Sequence, residues 1–289
     1  MKKYCGVVVL FNPDDDVRIN IDSYLESVSK LYIIDNSKVE NNLLLNEIRT
    51  REKLEYIPLG ENMGLAYALN LGCRKAVLDG FDYILTMDQD SRFEKFAVNK
   101  MISFIEKSAV HYSIVSPNVS SVYYDESSNQ DEIAYTHLKN DEIVERNWVM
   151  TSGSLMCLKD YQKAGGFDES LFIAHIDIDI AIKFDQFGGK IIQIGNAIIY
   201  QRFGNSKPKK FFWKTIYPSF ASPVRTYYLF RNQKYLEKKW DNYNSFIDVH
   251  LYKFIIKILL YEDMKFKKIK MGLKGLKDAR LNNMGTYKE

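Results

Sequence analysis

The chain is poor in cysteine. Cys5, Cys73 and Cys157 are scattered through 289 residues, odd in number and without metal-ligand spacing. That argues against a disulfide framework and fits reduced thiols in a cytosolic protein. Long apolar runs are missing too. None reaches the roughly 20 residues a spanning helix requires. The most apolar part of the tail, Phe254 to Tyr261, is short and interrupted by Lys257. No signal peptide is expected, because Met1-Lys2-Lys3 leads into an apolar run that breaks at Asn12-Pro13. Internal repeats and low-complexity segments are absent. So is a glycine-rich loop after the first apolar run, whether GxGxxG or a P-loop with its lysine. That argues against a dinucleotide dehydrogenase, a P-loop NTPase and a Rossmann methyltransferase.

What remains is an ordinary globular composition, 46% apolar and 27% charged, in a chain long enough for one large domain with an appendage. The net charge of +3 conceals an asymmetry. Residues 1–204 hold 21 Lys/Arg against 30 Asp/Glu, whereas residues 205–289 hold 19 against 7. An acidic body is followed by a basic tail. The tail suits an anionic membrane surface or an anionic substrate, and equally a solvated helical surface.

Apolar runs at Tyr4 to Phe11, Leu31 to Ile34, Leu54 to Leu59 and Tyr83 to Met87 read as strands. Helical patterns separate them. Residues 17–29 place Val17, Ile21, Leu25 and Val28 on one face, residues 41–52 look helical, and Asn62 is a plausible cap for the helix carrying Ala66, Asn70 and Gly72. The alternation predicts a mainly parallel α/β sheet flanked by helices. In such sheets ligands sit beyond the carboxyl ends of the strands, where Asn12, Asp35 and Asp88 all fall.

The stretch Tyr83-Ile84-Leu85-Thr86-Met87-Asp88-Gln89-Asp90 carries the sharpest signal. If the backbone stays extended, Asp88 and Asp90 project to the same side. Two hard oxygen ligands at a strand end suit Mg²⁺ or Mn²⁺ holding phosphate oxygens, though an Asp-x-Asp also occurs as a solvated turn. Further on, residues 94–107 read as a helix, 113–119 as a strand and 120–145 as an irregular or hairpin insertion. Trp148 to Leu158 reads as a strand with Gly153 inside it, for close approach of a ligand or another backbone, or as a simple bulge. The run from Ile173 to Gln186 is compatible with strand and with helix. On a helix, Asp177 and Asp179 lie about 200° apart, so only one can face a crevice. Ile191 to Ile194 is the last strand. The tail is mostly helical, with Arg225, Tyr228, Arg231 and Asn232 along one side of a helix.

In this order, VVVLFNPD, YIIDNS, ENMGLAYALNLG, LTMDQDS, MTSGSLM, GGFDESLFI with HIDID, and RTYYLFRN resemble the family-2 glycosyltransferases of the GT-A fold. The likeness is greatest to their bacterial rhamnosyltransferase-type branch, which also includes galactofuranosyl transferases, and it spans residues 4–232. It implies a GT-A (nucleotide-diphospho-sugar transferase) domain over residues 1–204, with residues 205–289 as a basic, mostly helical region packed on it.

The resemblance also implies roles. Asp35 would meet the nucleotide base beside Phe11, Asn12 and Pro13. Asn62, Gly64 and Ala66 would line the nucleotide side. Asp88 and Asp90 would hold a divalent cation, Mn²⁺ or Mg²⁺, and the sugar diphosphate. Asp177 would be the catalytic base, with Gly153, Ser154, His175 and Asp179 on the sugar and acceptor side. Arg225 and Arg231 would meet the diphosphate. Two features depart from the pattern. Gln201 stands where many members have a metal- or phosphate-binding His, followed here by Arg202-Phe203-Gly204, and Ile176-Asp177 replaces a Glu-Asp pair. The implied reaction is inverting transfer from a nucleotide sugar, dTDP-rhamnose or a UDP-sugar, to a saccharide hydroxyl, a lipid-linked one at the cytosolic membrane face. Nucleic acid is not expected as a partner. A non-catalytic nucleotide-sugar-binding protein is the alternative.

Overall fold

Three of the apolar runs stack as parallel strands because they are buried on both faces. In the computed structural model, β1 (Tyr4–Leu10) lies between β2 (Leu31–Asp35) and β4 (Tyr83–Asp88), and β3 (Leu54–Pro58) pairs with the far side of β2. The structure describes residues 2–39, 51–125, 130–202, 208–211, 214–216, 218, 220–247 and 250–287. The helix predicted over 41–52 falls almost wholly outside them. Along β1, Tyr4, Val8 and Leu10 enter one core while Cys5, Val7 and Val9 enter another, the two-residue alternation of a strand covered on both sides. Helices α1 (Val17–Leu25) and α3 (Ala97–Lys107) cover the first core. Helices α2 (Leu65–Leu78), α4 (Leu158–Lys163) and α5 (Ile176–Asp185) cover the second.

The other half of the sheet corrects the mainly parallel expectation. Strand β9 (Ser154–Cys157) runs antiparallel between β4 and β6 (Ile114–Asp125). Strand β10 (Ile191–Arg202) is parallel to β6, and the three-residue β5 (Ser91–Phe93) turns back antiparallel on the end of β10. The insertion is a hairpin, in which β7 (Gln130–Thr136) pairs with β6 and β8 (Ile143–Glu145) pairs with β10. The strand order is β3-β2-β1-β4-β9-β6-β10-β5. Among the described residues this sheet has four parallel and five antiparallel pairings, so it is mixed.

The strand predicted over 148–158 is short for a local reason. Gly153 has φ +81°, and a Cβ there would lie 2.5 Å from Ile199 Cδ1 and 3.0 Å from Pro117 Cγ. The chain turns at that residue, and β9 begins only after it. Asn62 is not the helix cap either. Gly64 holds that position with φ +93°, while the Asn62 side chain accepts from the Gly64 N–H at 3.0 Å and from Asn36 Nδ2 at 3.0 Å.

In the tail a small hairpin of β11 (Lys209–Phe211) and β12 (Lys214–Ile216) precedes α6 (Pro223–Lys239), where Ser222 Oγ accepts from the Arg225 N–H and Pro223 takes the first turn. Helices α7 (Leu251–Tyr261) and α8 (Lys265–Arg280) follow. α8 lies tightly along α6, because Gly272 faces the Phe230 ring and Gly275 faces the Tyr227 carbonyl with no side chain between. Leu236, Phe246 and Ile247 join the second core.

Candidate active site

Strand register brings the predicted acids to one edge. Leu10 pairs with Asp35, and Val9 with Asp88. Phe11, Asn12, Asp35 and Asp88 therefore leave the sheet side by side, with Pro13 in the same turn. Asp35 is buried, its Oδ1 accepting from the Ser37 N–H at 3.0 Å and its Oδ2 from the Tyr56 hydroxyl at 2.6 Å. The Ser37 hydroxyl in turn accepts from the Asn12 N–H at 2.7 Å. Phe11 stays exposed, an aromatic face at the rim.

Gln89, between the two acids, clips the acidic turn to β1. Its Oε1 accepts from the Phe11 N–H at 2.7 Å, and its Nε2 donates to the Phe11 carbonyl at 3.2 Å. Ser152 supports the turn from below, accepting from the Asp88 N–H and donating to Ser91 Oγ, both at 3.1 Å. Gln201, near the end of β10, donates from Nε2 to Asp88 Oδ2 at 3.4 Å, while its buried Oε1 has no hydrogen-bond partner among the described residues. A cleft of about 90 Å³ opens beside Asp90, with Asp14, Asn20, Arg92, Tyr200 and Arg202 in its walls.

Asp177 lies in the first turn of α5, near enough to Asp88 that its charge helps raise the Asp88 pKa. The loop before α5 is strained. Phe172, Ala174 and His175 all have positive φ, between 62° and 68°, where non-glycine residues cost on the order of 1 kcal/mol each. A clamp from α6 holds them. Asn232 Nδ2 donates to the carbonyls of Leu171, Ile173 and Ala174 at 2.9, 2.7 and 3.0 Å. Arg231 donates to the carbonyls of Ser170, Leu171 and Gly285 and to Asn232 Oδ1.

The acids feel one another. Burial is the main cause that lifts the Asp88 pKa to about 7. Asp90 and Asp177 push the same way, and the Arg225 charge opposes them. Asp90 reaches solvent yet is also raised, because the protein around its carboxylate outweighs hydrogen bonds from its own N–H and Ser91 and the charges of Arg225 and Arg202. Burial raises Asp177 to about 6 against the Ile178 N–H, which donates to it at 3.0 Å. Asp90 and Asp177 both act on Asp88, so three carboxylates that resist ionisation form one cluster. A divalent cation and an alcohol's proton are the partners that such a cluster can take.

Several expected residues lie elsewhere. Asp179 is fully buried, bonded to Lys239 Nζ at 2.7 Å, Trp240 Nε1 at 2.8 Å and Lys183 Nζ at 3.1 Å. It is neither in the crevice nor at the surface. His175 is buried, and its Nε2 meets Gln233 Oε1 at 3.0 Å. Arg231 is fully buried in the clamp, which corrects the diphosphate expectation. It is six residues from Arg225, and six residues turn a helix by about 240°. Gly64 and Ala66 sit under Phe172, whose carbonyl accepts from the N–H of Leu65 at 2.7 Å and of Ala66 at 3.3 Å. Gly153 packs against Ile199, and Ser154 points inward, donating to the Met150 carbonyl at 2.7 Å. A separate set at the opposite end of β4, His111, Cys157 and Asp160, brings ligand atoms within 4.8 Å of one another, but Asp160 Oδ2 is already engaged by His111 and Ser113.

A sequence model of glycosyl transferase family 2 matches residues 7–163, more than half of the chain. The chain belongs to glycosyl transferase family 2. Within that family, a dTDP-rhamnosyl transferase, RfbF of Shigella flexneri, is 25% identical over 242 residues, covering 81% of this chain and 79% of that protein. Among solved structures, GalNAc-T7 with UDP, GalNAc and Mn²⁺ superposes with a TM-score of 0.61 at 14% identity, over 97% of this chain and 56% of the other. TarS of S. aureus gives a TM-score of 0.62 at 13% identity, over 96% of this chain and 48% of the other. The chain thus spans about half the length of these two solved chains, and the likeness to them is one of fold, GT-A. The protein is a family-2 glycosyltransferase, and Asp88-Gln89-Asp90 stands at its strand-end crevice.

Residues of this glycosyltransferase that sequence reasoning passed over now have visible jobs. Gln89 and Ser152 fix the acidic turn, and Asn232 restrains the loop that presents Asp177. The only signal for Gln89 was its place between the two aspartates, and nothing linear joins Ser152 or Asn232 to the acids. The donor set suits a hard divalent cation. Asp88 and Asp90 offer carboxylate oxygens at raised pKa, and Gln201 Oε1 is a buried oxygen without a partner among the described residues.

Proposed function

We propose that this glycosyltransferase inverts the anomeric carbon, moving a sugar from a nucleotide sugar to a saccharide hydroxyl in bacterial surface polysaccharide synthesis. The observation that carries the reading is that Asp90 and Asp177 both bear on Asp88, with all three held above the ordinary carboxylate pKa. In this reading Asp88, Asp90 and Gln201 hold a divalent cation. When bound, that cation neutralises charge that develops on the leaving diphosphate. Arg225, exposed at the start of α6, adds a second positive charge. Phe11, Asn12, Pro13 and Asp35 seat the nucleoside.

Asp177 takes the proton of the acceptor hydroxyl. Its pKa near 6 leaves it ionised at neutral pH, yet basic enough to accept that proton. A base opposite the leaving group implies attack from the far side of the ring. The RfbF relative favours dTDP-rhamnose as donor. The GalNAc-T7 structure, which holds UDP and Mn²⁺, favours a UDP-sugar and Mn²⁺ as the second reading. The acceptor is read as a lipid-linked saccharide met at the cytoplasmic face of the membrane. Residues 1–204 are the proposed catalytic domain, with residues 205–289 as a basic, mostly helical region packed on it.

A thermal-shift panel of dTDP- and UDP-sugars with Mn²⁺ or Mg²⁺ tests the donor assignment. Stabilisation by one nucleotide class only with the metal is expected. Equal shifts with and without metal would remove the cation from the account.

A further inference from the structure

Helix α7 has a composition that its packing leaves unexplained. It reads Leu251-Tyr252-Lys253-Phe254-Ile255-Ile256-Lys257-Ile258-Leu259-Leu260-Tyr261, and of these only Ile258 is buried. Tyr252, Ile256, Leu259 and Leu260 fall at i, i+4, i+7 and i+8, a single helical stripe, and each is about half exposed. Along the chain, exposed apolar side chains carry on to the start of α8, where Met264 is 51% and Phe266 90% exposed. Lysines border it. Lys253 and Lys257 stand one position on from the stripe, and Lys267 and Lys270 are exposed on α8 beside the half-buried Lys265. Lys268 takes no part, because it is buried and bonded to Glu262 at 2.9 Å and Asp263 at 2.7 Å.

An apolar stripe of this kind calls for a cover. At 11 residues, α7 is roughly 16 Å long, about half the thickness of a bilayer's hydrocarbon core. No helix among the described residues is long and apolar enough to cross a membrane. The remaining geometry is a helix lying in the plane of the interface, with apolar side chains among the acyl boundary and lysines at the headgroups. A second copy of the chain is a poorer cover. A two-fold contact through this face would set the bordering lysines against their own copies.

We propose that the face formed by α7 and the start of α8 docks on an anionic lipid bilayer. Tyr252, Ile256, Leu259, Leu260, Met264 and Phe266 enter the interface, and the surrounding lysines meet the headgroups. The inference stands apart from the catalytic reading, since no crevice residue lies on this face and its test reads lipid binding rather than transfer.

The experiment is flotation of the full chain with phosphatidylcholine vesicles, with and without about one-third phosphatidylglycerol. Wild type is expected to float with the anionic vesicles. The double variant Leu260→Ser/Phe266→Ser should lower the vesicle-bound fraction at least roughly tenfold. Lys257→Glu/Lys267→Glu should abolish the preference for anionic lipid. All four side chains are exposed, and unchanged circular dichroism checks that the variants fold. Wild type that stays unbound at low salt, or an apolar double variant that floats as wild type does, would overturn the proposal. So would a dimer in light scattering that Leu260→Ser/Phe266→Ser dissociates, because a second copy would then be the cover.

Discussion

Asp177 and Asp179 are two residues apart on one helix and live in opposite environments. Asp179 is walled in, with two lysines and an indole N–H on its oxygens. Lys239 also binds Asp168 at 2.7 Å, and this helps hold the Asp168 carboxyl at about 2 although burial pushes it up. Asp177 and Asp90 both bear on Asp88, and all three are held above the ordinary carboxylate range. One group of acids is neutralised by the fold, the other left for something the fold does not contain. Charge that is already compensated stabilises. Charge left uncompensated at a strand-end opening is available for chemistry.

Perturbing each group should separate the two. Asp90→Asn is expected to reduce sugar transfer by about 10²–10³-fold and to weaken Mn²⁺ binding in calorimetry, with thermal stability of the free protein unchanged or raised. Lys239→Met should do the opposite. Uncovering part of the Asp179 carboxylate costs roughly 3 kcal/mol, readable in urea unfolding, while the donor KM of the folded fraction stays near wild type. The two arginines on α6 make a finer contrast. Arg225→Ala should raise the donor KM about tenfold, as expected for loss of one charged contact of 1–2 kcal/mol, with no loss of stability. Arg231→Ala should lower kcat and stability together, since the strained loop before Asp177 loses its clamp. The smallest effect is pH dependence. Asp177 must be ionised to accept a proton, so kcat/KM should fall as pH drops through about 6, approaching tenfold per unit well below it.

The parallel strands were legible because β1 and the first four residues of β2 form unbroken apolar runs, which mark burial on both faces. Direction was not. β9 is as fully buried as β1, and nothing in Ser154-Leu155-Met156-Cys157 says that it runs antiparallel between β4 and β6. β5 has only three residues, too few to carry a period. In the crevice, Asp88, Asp90 and Asp177 could be read because acids at strand ends and helix starts are sparse in apolar surroundings. Arg231 and Asp179 were misplaced for a shared reason. Spacing tells which face of a helix a residue takes, but not which neighbouring element covers that face. α6 covers Asp179 and turns Arg231 inward, and both contacts join residues about 60 positions apart.

The account turns on Asp177 acting as a base within a separately assembled donor site. Single-turnover transfer by Asp177→Asn, with Mn²⁺ and nucleotide-sugar affinities measured on the same preparation, tests this most directly. The expected result is a rate loss of about 10³-fold with both affinities within about threefold of wild type. A variant that transfers sugar at the wild-type rate, or one whose loss of rate is matched by its loss of donor affinity, would contradict it.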